Sequence, residues 1–336
     1  MNAACQRPAA ALGLVIAMLT LLACQAAKNG APPGAEEPPP ATVAPSTPAA
    51  SPQAAAAPEG TMAPGRFRSA ALGEEILYYV YLPAGYESGE SRYPVIYLLH
   101  GRGSTMAEWA KIGRDLDQLA AAGEIPPMIA VLPDAPWSQR ASYFVDSAYT
   151  GPDPGRPVET AFITELIPHV DATYRTVADR GARAVAGYSM GGYGALRYAL
   201  AHADLFMGAV VLSPAVYVPF PPEGSSTREF GAFGRGDRLF DEAAWTARNY
   251  PAAAVTFAAT GIESHLFIAV GDDEYKHPDP ADRLHDLDVE AHMVFNFASR
   301  VPNLFAELRV LDGGHDWTVW RAGFIEGIKY LARHMD

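Results

Sequence analysis

Residues 185–196 read Val185-Ala186-Gly187-Tyr188-Ser189-Met190-Gly191-Gly192-Tyr193-Gly194-Ala195-Leu196, and this stretch decides the fold. A short apolar run over 182–186 suits a buried strand. Gly187-Tyr188-Ser189-Met190-Gly191 fits G-x-S-x-G, and a helical pattern follows over 192–201. Strand, sharp turn and helix are the setting of a nucleophile elbow, not of a Gly-rich turn with an ordinary surface serine. The turn holds Ser189 in a strained backbone geometry above the sheet edge, with a helix N-terminus behind it. Glycine is needed at 187 and 191 because a β-carbon at either place would collide with the neighbouring strand or helix.

Outward from the elbow, strand-like runs over 76–82, 95–99, 129–132, 182–186, 209–212, 266–270 and 308–311 alternate with helical patterns over 106–121, 158–174, 192–201, 282–301 and 322–333. That alternation predicts an α/β fold: a mostly parallel central sheet with helices on both faces. In such sheets ligands sit at the carboxyl ends of the strands, so functional residues are sought there.

A serine hydroxyl is a weak nucleophile. It needs a base, a group that orients the base, and donors for the oxyanion. The base candidate is His315, in Asp312-Gly313-Gly314-His315-Asp316-Trp317 directly after the last strand-like run. Glycines there allow a tight turn that swings an imidazole over the sheet. The orienting acid belongs after the preceding strand, where Gly271-Asp272-Asp273-Glu274 offers Asp272, Asp273 and Glu274, each within reach. Serine, then acid, then histidine is the chain order of an α/β-hydrolase. Met190 supplies one backbone donor for the oxyanion. The second comes from His100-Gly101-Arg102-Gly103-Ser104, with Arg102 preferred and Gly103 the alternative. The Arg102 side chain is free to face solvent or to reach an anionic part of a substrate, and His100 reads as loop scaffolding.

Of the 336 residues 49% are hydrophobic, enough for one large globular domain, taken as 66–336. A formal net charge of -13 argues against nucleic acid as a partner. Cys5 and Cys24 are the only cysteines, so the domain has no thiolate metal site, disulfide or cysteine nucleophile. His277, His285 and His292 lie among several acids, but no metal spacing is recognisable, and 284, 287, 291, 294, 298 and 301 follow a helical period that leaves the charges on an exposed face. No metal and no cofactor is expected. Residues 1–24 read as an export signal, with Arg7 before an apolar segment that is short for a membrane span. Its end, Leu21-Leu22-Ala23-Cys24, is similar to the lipobox of bacterial lipoproteins. Lipidation of Cys24 would anchor the protein to the cell envelope, at the outer membrane of a Gram-negative cell since Gln25 follows; the alternative is an ordinary signal and a secreted protein. Residues 25–65, rich in Ala, Pro, Ser, Thr and Gly, read as a disordered tether.

Tyr93-Pro94-Val95-Ile96-Tyr97-Leu98-Leu99-His100-Gly101, Glu165-Leu166-Ile167-Pro168-His169-Val170-Asp171, the elbow from Ala186 to Leu196, Leu212-Ser213-Pro214 and Gly313-Gly314-His315-Asp316-Trp317 together resemble the putative esterase (esterase D-like) family of α/β-hydrolases. That family includes feruloyl esterases, S-formylglutathione hydrolases, enterochelin-type esterases and antigen 85-type mycolyltransferases. The resemblance implies the α/β-hydrolase fold and places the acid three residues after a strand-end glycine. That register points to Glu274 after Gly271, while Asp272 and Asp273 require a shift of two or one residues.

The expected activity is hydrolysis of a small-molecule or glycan-linked carboxylic ester through an acyl-enzyme, by Ser189, His315 and an acid. An acyltransferase on the same scaffold, or a non-catalytic tethered binding protein, are the alternatives. Trp137, Tyr143 and Tyr188 are candidates for substrate contact. Over 215–251, Tyr217, Phe220, Phe230, Phe233, Trp245 and Tyr250 either cover the site or pack among themselves.

Overall fold

The computed structural model describes residues 59–135, 141–274 and 278–335. Cys24, the export signal, most of the tether and Trp137 lie outside them.

Eight strands form one sheet: β1 (Thr61–Arg68), β2 (Glu75–Leu82), β3 (Val95–Leu99), β4 (Ile129–Pro133), β5 (Arg183–Tyr188), β6 (Gly208–Leu212), β7 (Ser264–Gly271) and β8 (Leu304–Leu311). Their spatial order is β1-β2-β4-β3-β5-β6-β7-β8. Only the β1–β2 and β2–β4 pairs are antiparallel. β1 opens at Thr61, inside the stretch read as tether, so the folded domain begins before the expected residue 66.

β3 to β6 are buried along their whole length, as strands covered on both faces must be. Alternate side chains feed two cores. Val95, Tyr97, Leu99, Val185, Ala209 and Val211 join one. Ile96, Leu98, Ala184, Ala186, Val210 and Leu212 join the other. The second core is closed by α1 (Gly113–Ala121) and, at the far end of the chain, α7 (Trp317–Ala332). The first is covered by α2, a continuous helix with a π-helical turn at Phe162–Leu166 between Val158–Ala161 and Ile167–Thr173, and by α3 (Met190–Ala201). α4 (Glu242–Arg248), α5 (Tyr250–Ala258) and α6 (Leu287–Ala298) complete that side.

The helix expected over 282–301 is shorter. A 3-10 turn, Pro280–His285, precedes it, and extended backbone at Asp286 separates the two. Leu284 therefore stays 62% exposed rather than joining the apolar face. The expected polar face is also interrupted, because Glu290 is fully buried.

Candidate active site

β5 ends at Tyr188 and α3 begins at Met190, leaving Ser189 alone to reverse the chain. Its backbone stands at φ 56 and ψ -118, a conformation that costs roughly 1–3 kcal/mol outside glycine. Three contacts hold it there. Ser189 N–H donates to Leu212 O at 2.9 Å, while its carbonyl accepts from Tyr193 N–H at 3.0 Å and Ala215 N–H at 3.2 Å. A β-carbon at Gly187 would meet Gly191 O at 2.1 Å, and one at Gly191 would meet Leu99 O at the same distance. The two glycines let strand, elbow and helix close on one another.

Met190 is the first residue of α3, where a backbone N–H has no acceptor inside the helix. The loop after β3 runs beside the elbow: a β-carbon at Gly101 would lie 3.5 Å from the Ser189 Cβ. His100 is fully buried beneath this loop. Its Nε2 accepts from Ala135 N–H at 3.0 Å, so Nδ1 carries the proton and donates to Gly101 O at 2.8 Å. The ring is a neutral brace for the loop, as scaffolding requires.

His315 sits between β8 and α7, and its Nδ1 lies 2.6 Å from Glu274 Oε2. A carboxylate accepts, so Nδ1 holds the proton and Nε2 is left as a base. Among the three candidate acids, Glu274 is the one that meets the histidine. It is 2% exposed, whereas Asp272 and Asp273 face outward. Asp272 Oδ1 instead accepts from Gly313 N–H at 3.0 Å and ties the two loops together. A β-carbon at Gly271 would meet Gly313 O at 2.1 Å, so the strand-end glycine permits this close approach.

Both Glu274 oxygens are engaged. Oε1 accepts from Gly271 N–H at 3.0 Å and from the Ser213 hydroxyl at 2.5 Å. Ser213 is fully buried at φ 42, and its hydroxyl accepts from Trp320 Nε1 at 3.1 Å. The Trp320 indole stands edge-on to the His315 ring, with centroids 5.0 Å apart. Sequence reasoning gave neither Ser213 nor Trp320 a role. Ser213 carried a signal, since it lies in a quoted segment one residue past β6. Trp320 carried none beyond its place one helical turn after His315.

A cavity of about 290 Å³ is lined by Ser189, His315, Arg102, Tyr143, Tyr217 and Leu287 together with Pro222, Gly224, Ser225 and Ser226. It brings the serine, the histidine and the Arg102 loop together. Tyr143, at φ 50 and 3% exposed, is on its wall. Burial pushes the Tyr143 phenol up to about 12, partly offset by its hydrogen bond with Thr227 and by the nearby Arg102 charge. Tyr188 is not on the wall, contrary to the expected substrate contact. It is 3% exposed, stacked on Trp320 with centroids 4.2 Å apart, and its hydroxyl donates to Ser104 Oγ at 2.9 Å. Strand alternation sends its ring into the core beneath the elbow. Of the 215–251 aromatics, Tyr217 lines the cavity, whereas Phe233, Trp245 and Tyr250 are buried packing. Among the described residues no group of three or more His, Cys, Asp or Glu is placed to hold a metal ion.

A family model described as "Putative esterase" matches residues 69–331. An esterase of Mycobacterium tuberculosis is 40% identical over 147 residues, which are 43% of this chain and 30% of that protein. An endo-1,4-beta-xylanase/feruloyl esterase of Xylanibacter ruminicola is 31% identical over 190 residues, 53% of this chain and 25% of that protein. The chain thus spans less than a third of the length of these relatives. Among solved structures, a ferulic acid esterase superposes with a TM-score of 0.64 at 27% identity, over 82% of this chain and 99% of its own. An S-formylglutathione hydrolase from Agrobacterium tumefaciens gives 0.64 at 19% identity, over 83% of this chain and 96% of its own, which shows the shared fold.

Proposed function

Since the chain belongs to the putative esterase family and has its α/β-hydrolase fold, we propose that it is a serine carboxylic-ester hydrolase working through an acyl-enzyme. One observation carries the reading: His315, whose Nδ1 lies 2.6 Å from Glu274 Oε2, stands on the wall of the cavity that Ser189 also lines. Ser189 Oγ attacks the ester carbonyl and His315 Nε2 takes its proton. Glu274 holds the Nδ1–H tautomer and stabilises the imidazolium that forms. Backbone N–H groups of Met190 and Arg102 receive the oxyanion. His315 then gives its proton to the departing alcohol oxygen, and water, deprotonated by the same imidazole, releases the acid. The elbow's strain suits this role, because the hydroxyl is held ready without reorganisation at the moment of attack.

A ferulic acid esterase among the similar structures, and Tyr143 and Tyr217 on the cavity wall, support small or glycan-linked esters with an aromatic acyl part as substrates. Replacing Ser189 by alanine should lower turnover of p-nitrophenyl acetate by at least about 10⁴-fold. The circular dichroism spectrum should stay unchanged, and a fluorophosphonate probe should label the parent protein only. Turnover that persists in a clean S189A preparation refutes the reading.

A further inference from the structure

Arg102 lines the cavity, and no carboxylate does so among the described residues. The acid behind His315, Glu274, does not line the cavity and is engaged by His315, Ser213 and Gly271. Arg102 is exposed and has no ion pair among the described residues. Its guanidinium carbon lies 5.9 Å from the centroid of Phe230, across from the loop that carries it. The Ser226 hydroxyl, on the same wall, has no protein partner among the described residues. Among the described residues a cation without an ion pair therefore lines the cavity, in a chain whose formal net charge is -13. Elsewhere on the molecule arginines near a carboxylate use it: Arg183 with Asp171 at 2.7 Å, Arg197 with Glu159 at 2.8 Å and Arg321 with Asp115 at 2.5 Å.

A guanidinium forks onto carboxylate oxygens and loses little hydration in doing so. A concave, low-dielectric wall strengthens that attraction over the same pair in open water. We infer that the cavity selects esters whose non-reacting part carries a carboxylate, held by the Arg102 guanidinium with the Ser226 hydroxyl as a neutral donor. This rests on the hydrolase reading above and deepens it. The chemistry balances without another reagent. Water adds OH to the acyl carbon and H to the leaving oxygen, the acyl C–O bond breaks, and the remote carboxylate passes through unchanged.

The test compares mono-p-nitrophenyl adipate with its neutral methyl-capped ester, using the protein itself, Arg102→Gln and Arg102→Lys. Both substrates release the same chromophore, so their ratio of kcat/KM cancels any loss that the loop change inflicts on both. The parent should favour the carboxylate form by about tenfold, chiefly through KM, and lose much of that preference as salt screens the exposed pair. Arg102→Gln should bring the ratio near one, and Arg102→Lys should retain part of it. Turnover of the methyl-capped ester without preference for the carboxylate, or a preference that survives in Arg102→Gln, overturns the inference and leaves the hydrolase reading standing. Loss of both activities in the parent overturns both.

Discussion

Among the described residues three glutamates meet a histidine at nearly the same distance: Glu274 with His315 at 2.6 Å, Glu290 with His285 at 2.7 Å and Glu159 with His202 at 2.8 Å. Their surroundings differ. Glu274 has donors on both oxygens, from Gly271, Ser213 and His315. Glu159 is buried, which raises its carboxyl, but His202 and Arg197 outweigh this and hold it below its ordinary value. Glu290 takes both of its hydrogen bonds, from His285 and Val218 N–H, on Oε1, and Oε2 has no partner. Burial pushes its carboxyl up to about 7, only partly offset by those two donors. Pair chemistry alone therefore does not mark an active site. What separates Glu274–His315 is position: both residues follow strand ends at the carboxyl edge of the sheet, and His315 reaches the wall of the cavity that Ser189 lines.

The sharpest way to break this comparison is to neutralise the acids one at a time. Glu274→Gln keeps the shape of the side chain but no longer favours the Nδ1–H tautomer, and kcat should fall by about 10³- to 10⁴-fold. Asp272→Asn and Asp273→Asn should stay within a few-fold of the parent, since neither carboxyl meets His315. Steady-state kinetics on one ester decide it. A loss at Asp273 as deep as that at Glu274 would move the acid one residue and leave the buried glutamate a structural group.

Ser213 tests how much of the pair's competence comes from behind it. Its hydroxyl donates to Glu274 and accepts from Trp320, so Ser213→Ala strips one donor from the carboxylate and leaves the half-buried indole N–H without this partner. Each such loss is worth about 1–3 kcal/mol. We expect kcat to drop roughly tenfold with KM nearly unchanged, because the carboxylate and not the substrate loses the contact. An unchanged kcat would show that Gly271 N–H and His315 suffice to hold Glu274.

The elbow was legible because its signals are contiguous: strand, G-x-S-x-G and helix occupy one stretch, and glycines 187 and 191 stand where backbones touch. His315 was legible from chain order and its glycines. The rest depended on distant partners. Ser213 and Glu274 are 61 residues apart and Ser213 and Trp320 are 107 apart, and nothing local in either neighbourhood announces the contact. β1 escaped because Thr-Met-Ala-Pro-Gly-Arg-Phe-Arg has neither alternation nor an apolar run. It is an edge strand shaped by its partner, and a β-carbon at Gly65 would strike the Tyr78 ring. Tyr188, expected to contact substrate, is next to Ser189 in sequence but not on the cavity wall, because the pleat turns consecutive side chains to opposite faces. Glu290 broke the helical pattern of charges outside, apolar residues inside, since a carboxyl can enter a core once a histidine and a backbone N–H meet it.

That last glutamate supplies the finest test of the comparison, on stability rather than rate. With a folded value of about 7 against 4.5 for the ordinary carboxyl, Glu290 keeps its proton in the folded chain while the unfolded chain has lost it. Below pH 4.5 both states are protonated and folding bears no ionisation cost. As pH rises from 4.5 through 7 the unfolded state binds fewer protons, and stability falls by about 1–3 kcal/mol before levelling off. Burial, and then the Glu290 charge, push the Tyr250 phenol above its ordinary value, so that group stays neutral across this range. Glu290→Gln retains an acceptor for Val218 N–H and cannot ionise. Its melting temperature should match the parent's near pH 4.5 and exceed it by several degrees at pH 8, while turnover stays within a few-fold. Thermal melts across that range read the difference. A variant that melts below the parent at pH 8 would mean that His285 binds Glu290 as a stabilising ion pair, and the contrast with the fully engaged Glu274 would then rest on location alone.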